Sequence, residues 1–343
     1  MQKSVIIALG GNAISPKGEA GTISEQFAHT RESLNAIMHF VALGYHICIT
    51  HGNGPQVGDE LYRMALTYNE IPPLPLGVCV AETQGSIGYM IQQSLQNALK
   101  QKHIDREVVT LITQTIVDSH DPSIKNPSKF IGRGYTKEDG KQMAEKFGWS
   151  IKKQNSSEWR QVVPSPVPQF IEHGKSIQTL VDHGIIVIAS GGGGIPAYWN
   201  ESGNLEGLDA VVDKDLSAAL LGRVIKSHEL WIITDVDRVC LYYGTEKEKP
   251  INEMTVSEAI QYAAEGHFQA GSMAPKIQAA IYFLQYHGDK LVITSIDGIT
   301  EAINGNNGTI TVSYTHPRAH ETLRYLVCRL LLEKTKSQTA RPS

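Results

Sequence analysis

The chain has 343 residues, of which 41% are hydrophobic and 19% charged, and its formal net charge is −4. That composition excludes a disordered polypeptide, the acid balance does not favour a nucleic-acid partner, and no apolar run approaches the roughly 18 residues of a membrane span. The length fits one large α/β domain or two lobes.

Val5-Ile6-Ile7-Ala8-Leu9 reads as a buried strand running into Gly10-Gly11-Asn12-Ala13, where two glycines allow a tight turn with N–H groups facing a ligand. A strand beginning near residue 4 leaves no room for a signal peptide, so a cytoplasmic setting is expected. Thr22 and Glu25 form a capping-box pattern for a helix toward Leu43, with Gly44 as its stop. A second strand, Tyr45-His46-Ile47-Cys48-Ile49-Thr50, ends in His51-Gly52-Asn53-Gly54-Pro55-Gln56. Helices are expected after Gln56 and over residues 83–99.

Residues 118–166 break the rhythm. They are polar, contain several Pro and Gly, and carry Lys125, Lys129, Arg133 and Lys137. Short alternating pieces, Trp149-Ser150-Ile151 and Gln161-Val162-Val163, predict β-hairpins in a lobe inserted over the carboxyl edge of a sheet.

Residues 168–183 are expected to be helical, stopped by Gly184. Gly184-Ile185-Ile186-Val187-Ile188-Ala189 is a third strand, ending in Ser190-Gly191-Gly192-Gly193-Gly194-Ile195-Pro196. A helix over residues 214–225 feeds the strand Leu230-Trp231-Ile232-Ile233-Thr234, and Thr255-Val256-Ser257-Glu258 opens a short helix. Pro275 suits the first turn of a helix to His287, and residues 291–294 form another buried strand. Repeated β–α alternation implies an α/β fold with a mostly parallel sheet and helices on both faces. Four cysteines, Cys48, Cys79, Cys240 and Cys328, show no paired spacing and are expected to stay reduced. Cys48 and Cys240 read as small buried thiols. The 13 histidines are not expected to build a metal site.

Ligands of open α/β sheets bind outside the carboxyl ends of the strands. Three glycine-rich loops at three such ends point to an extended anionic ligand, with phosphate the natural candidate. There is no GxxxxGK[ST], and Gly10-Gly11-Asn12-Ala13 does not match GxGxxG, which disfavours a nicotinamide enzyme. Phosphoryl transfer needs positioned positive charge. Lys129 lies in the inserted lobe, and Lys214 and Lys276 lie at helix starts, where the dipole ordinarily favours acidic residues and a bound anion would remove the objection. Asp213 and Asp215 flank Lys214 and could hold its ammonium or cap the helix.

These residues carry a resemblance. The Ala8–Ala13 opening, His51–Gly58, Gln84-Gly85-Ser86-Ile87-Gly88-Tyr89-Met90, Val163-Pro164-Ser165-Pro166, Ser190–Pro196, Val211–Leu216, Thr234-Asp235-Val236-Asp237 and Gly271–Lys276 together resemble the carbamate kinases of the amino acid kinase family, in family order. The resemblance implies an open αβα sandwich over residues 1–311, with a protruding β-rich subdomain at 118–166. It implies a carbamate-binding amino-terminal half and a nucleotide-binding carboxyl-terminal half. The implied reaction interconverts ATP plus carbamate with ADP plus carbamoyl phosphate. Magnesium would arrive on the nucleotide, the assembly would be a homodimer, and the setting would be cytoplasmic arginine metabolism.

Carried over by position, Gly10, Gly11, Asn12, Gly52 and Asn53 would bind carbamate and phosphoryl oxygens. Lys129 would reach in from the lobe, and Lys214 and Lys276 would flank the phosphoryl group, oriented by Asp213. Thr234, Asp235, Tyr243 and Met273 would line the nucleotide site. Carbamate is already an anion, so no general base is required. Asn126, Phe130, Asp209 and Cys240 depart from the residues usual in the family, where Lys and Pro, Glu and Tyr stand, which bears on substrate affinity and lobe closure. The alternatives are a kinase of another small carboxylate or of a nucleotide on the same fold, or a non-catalytic nucleotide or anion sensor. Intact Lys129, Lys214, Lys276 and Asp213 speak against the sensor.

Residues 312–343 match no kinase element and carry six of the chain's Lys and Arg against two acidic residues. From Ser313-Tyr314-Thr315-His316-Pro317 onward they resemble a translated sequencing adapter. The rival reading is a true helix, since Leu323, Leu326, Val327, Leu330 and Leu331 share one helical face. Truncation after Val312 is expected to leave activity intact and to shift the melting temperature by no more than a few degrees. A calorimetric scan showing loss of folding would establish the tail as structural.

Overall fold

An eight-stranded sheet lies at the centre of the described chain, which in this computed structural model comprises residues 2–11, 14–15, 21–155, 158–269 and 271–313. Asn12 and the tail from residue 314 lie outside the described residues. The first part runs β1 (Ser4–Leu9), α1 (Ile23–Ala42), β2 (His46–His51), α2 (Gly54–Thr67), α3 (Leu76–Gln101), β3 (Val108–Thr110) and β4 (Gln114–Val117). A lobe follows: α4 (Pro122–Lys125), β5 (Lys129–Tyr135), α5 (Lys137–Phe147), β6 (Ile151–Lys153) and β7 (Trp159–Val163). The chain returns through β8 (Pro168–Ile171), α6 (Gly174–Asp182), β9 (Ile186–Ile188), β10 (Ile195–Trp199) and β11 (Leu205–Gly207). It ends with α7 (Lys214–Ile225), β12 (Glu229–Thr234), β13 (Val239–Leu241), β14 (Lys249–Ile251), β15 (Glu253–Thr255), α8 (Val256–Ala264), α9 (Met273–Tyr286), β16 (Lys290–Ser295), α10 (Ile299–Ile303) and β17 (Thr309–Val312).

The central sheet has the order β15-β17-β16-β12-β1-β2-β9-β3, and every pairing is parallel except that of β16 with β17. β1 is buried along its whole length, as a strand covered on both faces must be. Val5, Ile7 and Leu9 join Leu34, Ile37, Ile87, Ile91 and Leu95 of α1 and α3 in one core cluster. On the opposite face Ile6 approaches α7, where a Cβ on Gly222 would come within 2.6 Å of the Phe283 ring of α9. Gly222 therefore lets α7 and α9 pack side by side. Capping boxes at Thr22/Glu25 and Thr255/Glu258 start α1 and α8, as their sequences predict.

Two expectations are corrected. Residues 168–183 are not one helix: Pro168–Ile171 is the strand β8, and α6 begins only at Gly174. β8 is the edge of a second sheet, β11-β10-β4-β8, a place where a proline lacking an N–H is tolerated. Cys48 is fully buried in β2, and burial pushes its thiol up to about 12. Cys240, expected to be buried, is only partly so, because β13 pairs with β14 alone in a two-stranded sheet.

The lobe leaves the body after β4 and returns in β8, which is the antiparallel neighbour of β4. It contains the sheet β5-β7-β6, antiparallel throughout. Its seat on the body is a backbone contact. A Cβ on Gly58 of α2 would lie 1.8 Å from the Gly132 Cα of β5, and Gly132 itself has φ +66°. Beside it the Arg133 guanidinium stacks 3.4 Å from the centre of the Tyr62 ring, and Arg160 Nη2 donates to the Gly132 carbonyl. Gly58→Val is expected to lift β5 off α2 while sparing the central sheet. Hydrogen exchange should then accelerate at least several-fold in β5 and β7 and stay unchanged in β1 and β12. Unchanged exchange in the lobe would show that the glycine contact does not seat it.

Candidate active site

Parallel pairing brings the carboxyl ends of β1, β2, β9 and β12 to one edge. The Gly10 amide donates to the Ile233 carbonyl at 2.9 Å and the Gly52 amide to the Leu9 carbonyl at 2.8 Å, so the first two glycine turns lie side by side. A Cβ on Gly52 would sit 2.7 Å from the Gly11 nitrogen and 3.4 Å from Lys214 Cδ, so the lysine stem packs against this pair of turns. Asn53 is buried and donates through Nδ2 to Thr83 Oγ1 of α3 at 2.9 Å.

The third glycine loop is clamped. Gly192, Gly193 and Gly194 have φ of +64°, +88° and +88°, a run that side-chain-bearing residues rarely adopt. Gln84 Nε2 donates to the Gly191 and Thr113 carbonyls, each at 3.0 Å, and its Oε1 accepts from the Thr113 amide at 2.7 Å. The Gly193 carbonyl accepts from Thr115 Oγ1 and Ser217 Oγ, each at 2.8 Å. The loop thus presses on Asn53, whose Nδ2 would be 2.1 Å from a Cβ on Gly192.

Opposite these loops lie the lysines. Lys129 opens β5, Lys214 opens α7, and Lys276 is in the first turn of α9. Lys129 Nζ donates to Asp213 Oδ2 at 2.7 Å, while Asp213 Oδ1 caps α7 by accepting from the Asp215 and Leu216 amides. Asp215 takes Lys214 Nζ on Oδ1 and Lys276 Nζ on Oδ2, the latter at 3.1 Å. Side chains of Lys214 and Lys276 are each 13% exposed and that of Asp215 is 4% exposed. Three ammonium groups against two carboxylates leave one positive charge in this network.

Burial alone would push Asp215 up, but Lys214 and Lys276 hold it well below the usual carboxylate range. Asp213 is likewise raised by burial and brought down, on balance, chiefly by Lys129. Burial lowers Lys214, and Asp215 only partly restores it. Lys276, also opposed by burial, is raised by Asp215 and Asp213.

The hydrogen bonds of Asp213 go to Lys129 and the α7 backbone, its influence on Lys214 and Lys276 is electrostatic, and Asp215 is the carboxylate that joins those two lysines directly. The Asp-Lys-Asp spacing carried that signal, since a helix start presents the first and third residues on different sides of the second. Thr234 ends β12 beside Gly10, and its hydroxyl donates to Asp235 at 3.0 Å. Asp235 is near enough to act electrostatically on Lys276. Met273 begins α9, and Tyr243 is 55% exposed beyond β13.

His51, part of the second loop sequence, is fully enclosed against Gly191, whose added Cβ would come within 2.3 Å of Nε2. Burial lowers its imidazole from 6.5 to about 4. As pH falls from 6.5 toward 4, the unfolded chain binds a proton that the folded chain refuses. Stability is therefore lost across that window, by about 3 kcal/mol at most for a shift of this size, and this contribution is flat below it. Urea midpoints of the wild type should fall more steeply between pH 6.5 and 4 than those of His51→Gln, and equal slopes would refute the enclosed neutral imidazole.

The model of the amino acid kinase family matches residues 3–295. The carbamate kinase of Pyrococcus furiosus is 45% identical over 312 residues, covering 90% of this chain and 99% of that protein. The carbamate kinase of Trichomonas vaginalis is 41% identical over 307 residues, covering 89% and 98%. The structure of carbamate kinase from Giardia lamblia bound to AMP-PNP superposes with a TM-score of 0.83 at 39% identity, covering 91% of this chain and 99% of that one. The open αβα sandwich, the clustered lysines and these likenesses agree: the chain belongs to the amino acid kinase family and, within it, to the carbamate kinases, phosphotransferases that interconvert ATP plus carbamate with ADP plus carbamoyl phosphate.

Proposed function

We propose that the lysine–aspartate network is the phosphoryl-transfer centre, with the glycine turns holding the small substrate on one side and the nucleotide entering from the other. The observation that carries this reading is the convergence of Lys129, Lys214 and Lys276, from three separate segments, on two carboxylates at the edge where the glycine loops end. Carbamate needs no deprotonation, so what the reaction asks of the protein is alignment and charge. The amides of Gly10, Gly11 and Gly52, with Asn12 and Asn53, hold carbamate and phosphoryl oxygens. Lys214 and Lys276 flank the transferring group, where fixed cations stabilise charge as it moves from one oxygen to the other. Asp215 keeps both ammonium groups charged and in place. Lys129 comes from the lobe and acts on the small substrate.

Thr234, Asp235, Tyr243 and Met273 line the nucleotide site, which puts carbamate chemistry in the amino-terminal half of residues 1–311 and nucleotide binding in the carboxyl-terminal half. The relative bound to AMP-PNP supports ATP and ADP as the nucleotides. Asp213 and Asp215 are paired with lysines, and Mg2+ is assigned to the nucleotide phosphates with which it would arrive. No helix among the described residues is long and apolar enough to cross a membrane. A cytoplasmic homodimer serving arginine metabolism is the setting most consistent with this reading.

The test is ATP formation from ADP and carbamoyl phosphate. Lys214→Ala and Lys276→Ala should each lower kcat at least about a hundredfold, the usual scale for losing one donor to developing charge. Lys129→Ala should raise KM for carbamoyl phosphate more than KM for ADP. Near-normal turnover would remove either helix lysine from the centre, and the reverse ranking of KM effects would place the lobe over the nucleotide.

A further inference from the structure

We propose that Asp209 is a positioning residue that registers the Asp213–Lys214 segment, and the lobe with it, against the amino end of α3. α3 begins after Pro75, whose side chain offers no cap. The first amide of the helix, that of Leu76, instead donates to Asp209 Oδ1 at 2.9 Å, across 133 residues of sequence. Asp209 lies on the strap between β11 and α7. Two residues on, the Val211 amide donates to the Pro164 carbonyl at 3.0 Å, where the chain leaves the last lobe strand β7. Four residues on, Asp213 caps α7 and takes Lys129. Ala210, Val211 and Val212 are buried, so the strap has little room to shift on its own.

The other end of the tie matters as much. α3 carries Thr83 and Gln84, which hold Asn53 and the Gly191 loop. One carboxylate therefore connects the helix that fixes two glycine loops with the strap that fixes Asp213, Lys214 and the lobe exit. A side chain at the amino end of a helix is also favoured there as an anion, which tightens the tie. Asp209 stands on the wall of a cavity of about 380 Å³ between α2, the start of α3 and the lobe, whose lining also includes Phe147 and Trp149. That space is where a slack strap would let the lobe drift.

This inference rests on the roles given above to Lys129 and Lys214. Its test is steady-state kinetics on variants shown to be folded by circular dichroism, at saturating ADP and carbamoyl phosphate. Asp209→Ala should lower kcat about tenfold, since sub-ångström misplacement of reacting groups is costly. Asp209→Asn, which keeps the accepting oxygen, should stay within about twofold of wild type. In a Lys129→Ala background Asp209→Ala should cost clearly less than about tenfold, because part of the strap's effect passes through the Asp213–Lys129 pair and only the part through Lys214 remains. Should Asp209→Ala not accumulate folded, Asp209→Ser, whose hydroxyl is too short to reach Leu76, replaces it.

A lowered melting temperature with unchanged kcat would reduce Asp209 to a helix cap and overturn the proposal. So would a loss that Asn does not restore, or a full multiplicative loss on top of Lys129→Ala. Unaltered constants in Lys129→Ala alone would count against the lysine assignment, and the Ala-to-Asn comparison at Asp209 would still decide the positioning role.

Discussion

Two buried ammonium groups cannot stay charged beside each other without a carboxylate between them, and that constraint organises this molecule. Asp215 is the carboxylate: one oxygen for Lys214, the other for Lys276. Burying any of the three alone would be costly, and the set is tolerable because each charge finds its partner. The arrangement requires α7 and α9 to start at the same place, which Gly222 permits by letting the Phe283 ring in against α7. It also turns the positive ends of two helix dipoles toward the site. Those dipoles steady the aspartates and add to the field that an incoming phosphate would meet.

Rigidity on the facing side comes from different chemistry. A run of positive-φ glycines would ordinarily be loose, yet here the carbonyls of Gly191 and Gly193 are held by Gln84, Thr115 and Ser217. Side-chain hydroxyls and one amide do what a regular ladder would do elsewhere, while the Gly193 and Gly194 amides close the turn on the Ser190 and Gly191 carbonyls. His51 fills the space behind the loop as a neutral ring, which a charged imidazole in that enclosure could not do. Fixed cations thus face fixed dipoles across a narrow edge, the geometry that spares reorganisation during phosphoryl transfer.

Much of this was legible from residues alone. β-branched runs before glycine pairs marked β1 and β2, and lysines at the starts of α7 and α9 stood out against the helix dipole. Capping boxes located α1 and α8. What escaped were features that depend on partners distant in sequence. Asp215 looks like a routine first-turn acid until Lys276, 61 positions away, is brought beside it. β8 reads as the start of a helix because nothing in Pro168–Ile171 announces that β4 lies alongside. Gly58 and Gly132 are unremarkable singly, and their meaning lies in a backbone contact between them. Local pattern reports local preference, and tertiary pairing decides these cases.

The route of the chain explains how an inserted lobe can serve a centre built on the main sheet. The lobe departs from β4 and re-enters at β8, and since these strands are antiparallel neighbours, its two connections emerge close together. An insertion with adjacent ends disturbs the host sheet little, but its two connections alone do not set its orientation. Lys129 is carried by that lobe, and its fixing comes from outside the two connections. Three contacts supply it on three sides: the glycine seat on α2, the Lys129–Asp213 pair at the site, and the strap from Pro164 through Asp209 to α3. The first is steric, the second ionic and the third a backbone tie, so they fail under different conditions. Salt weakens the exposed part of the ion pair and leaves the steric seat untouched. The position of Lys129 is therefore set by geometry first and by charge second, which is the order a phosphoryl-transfer site needs if its anionic substrate is to compete for that ammonium without unseating the lobe.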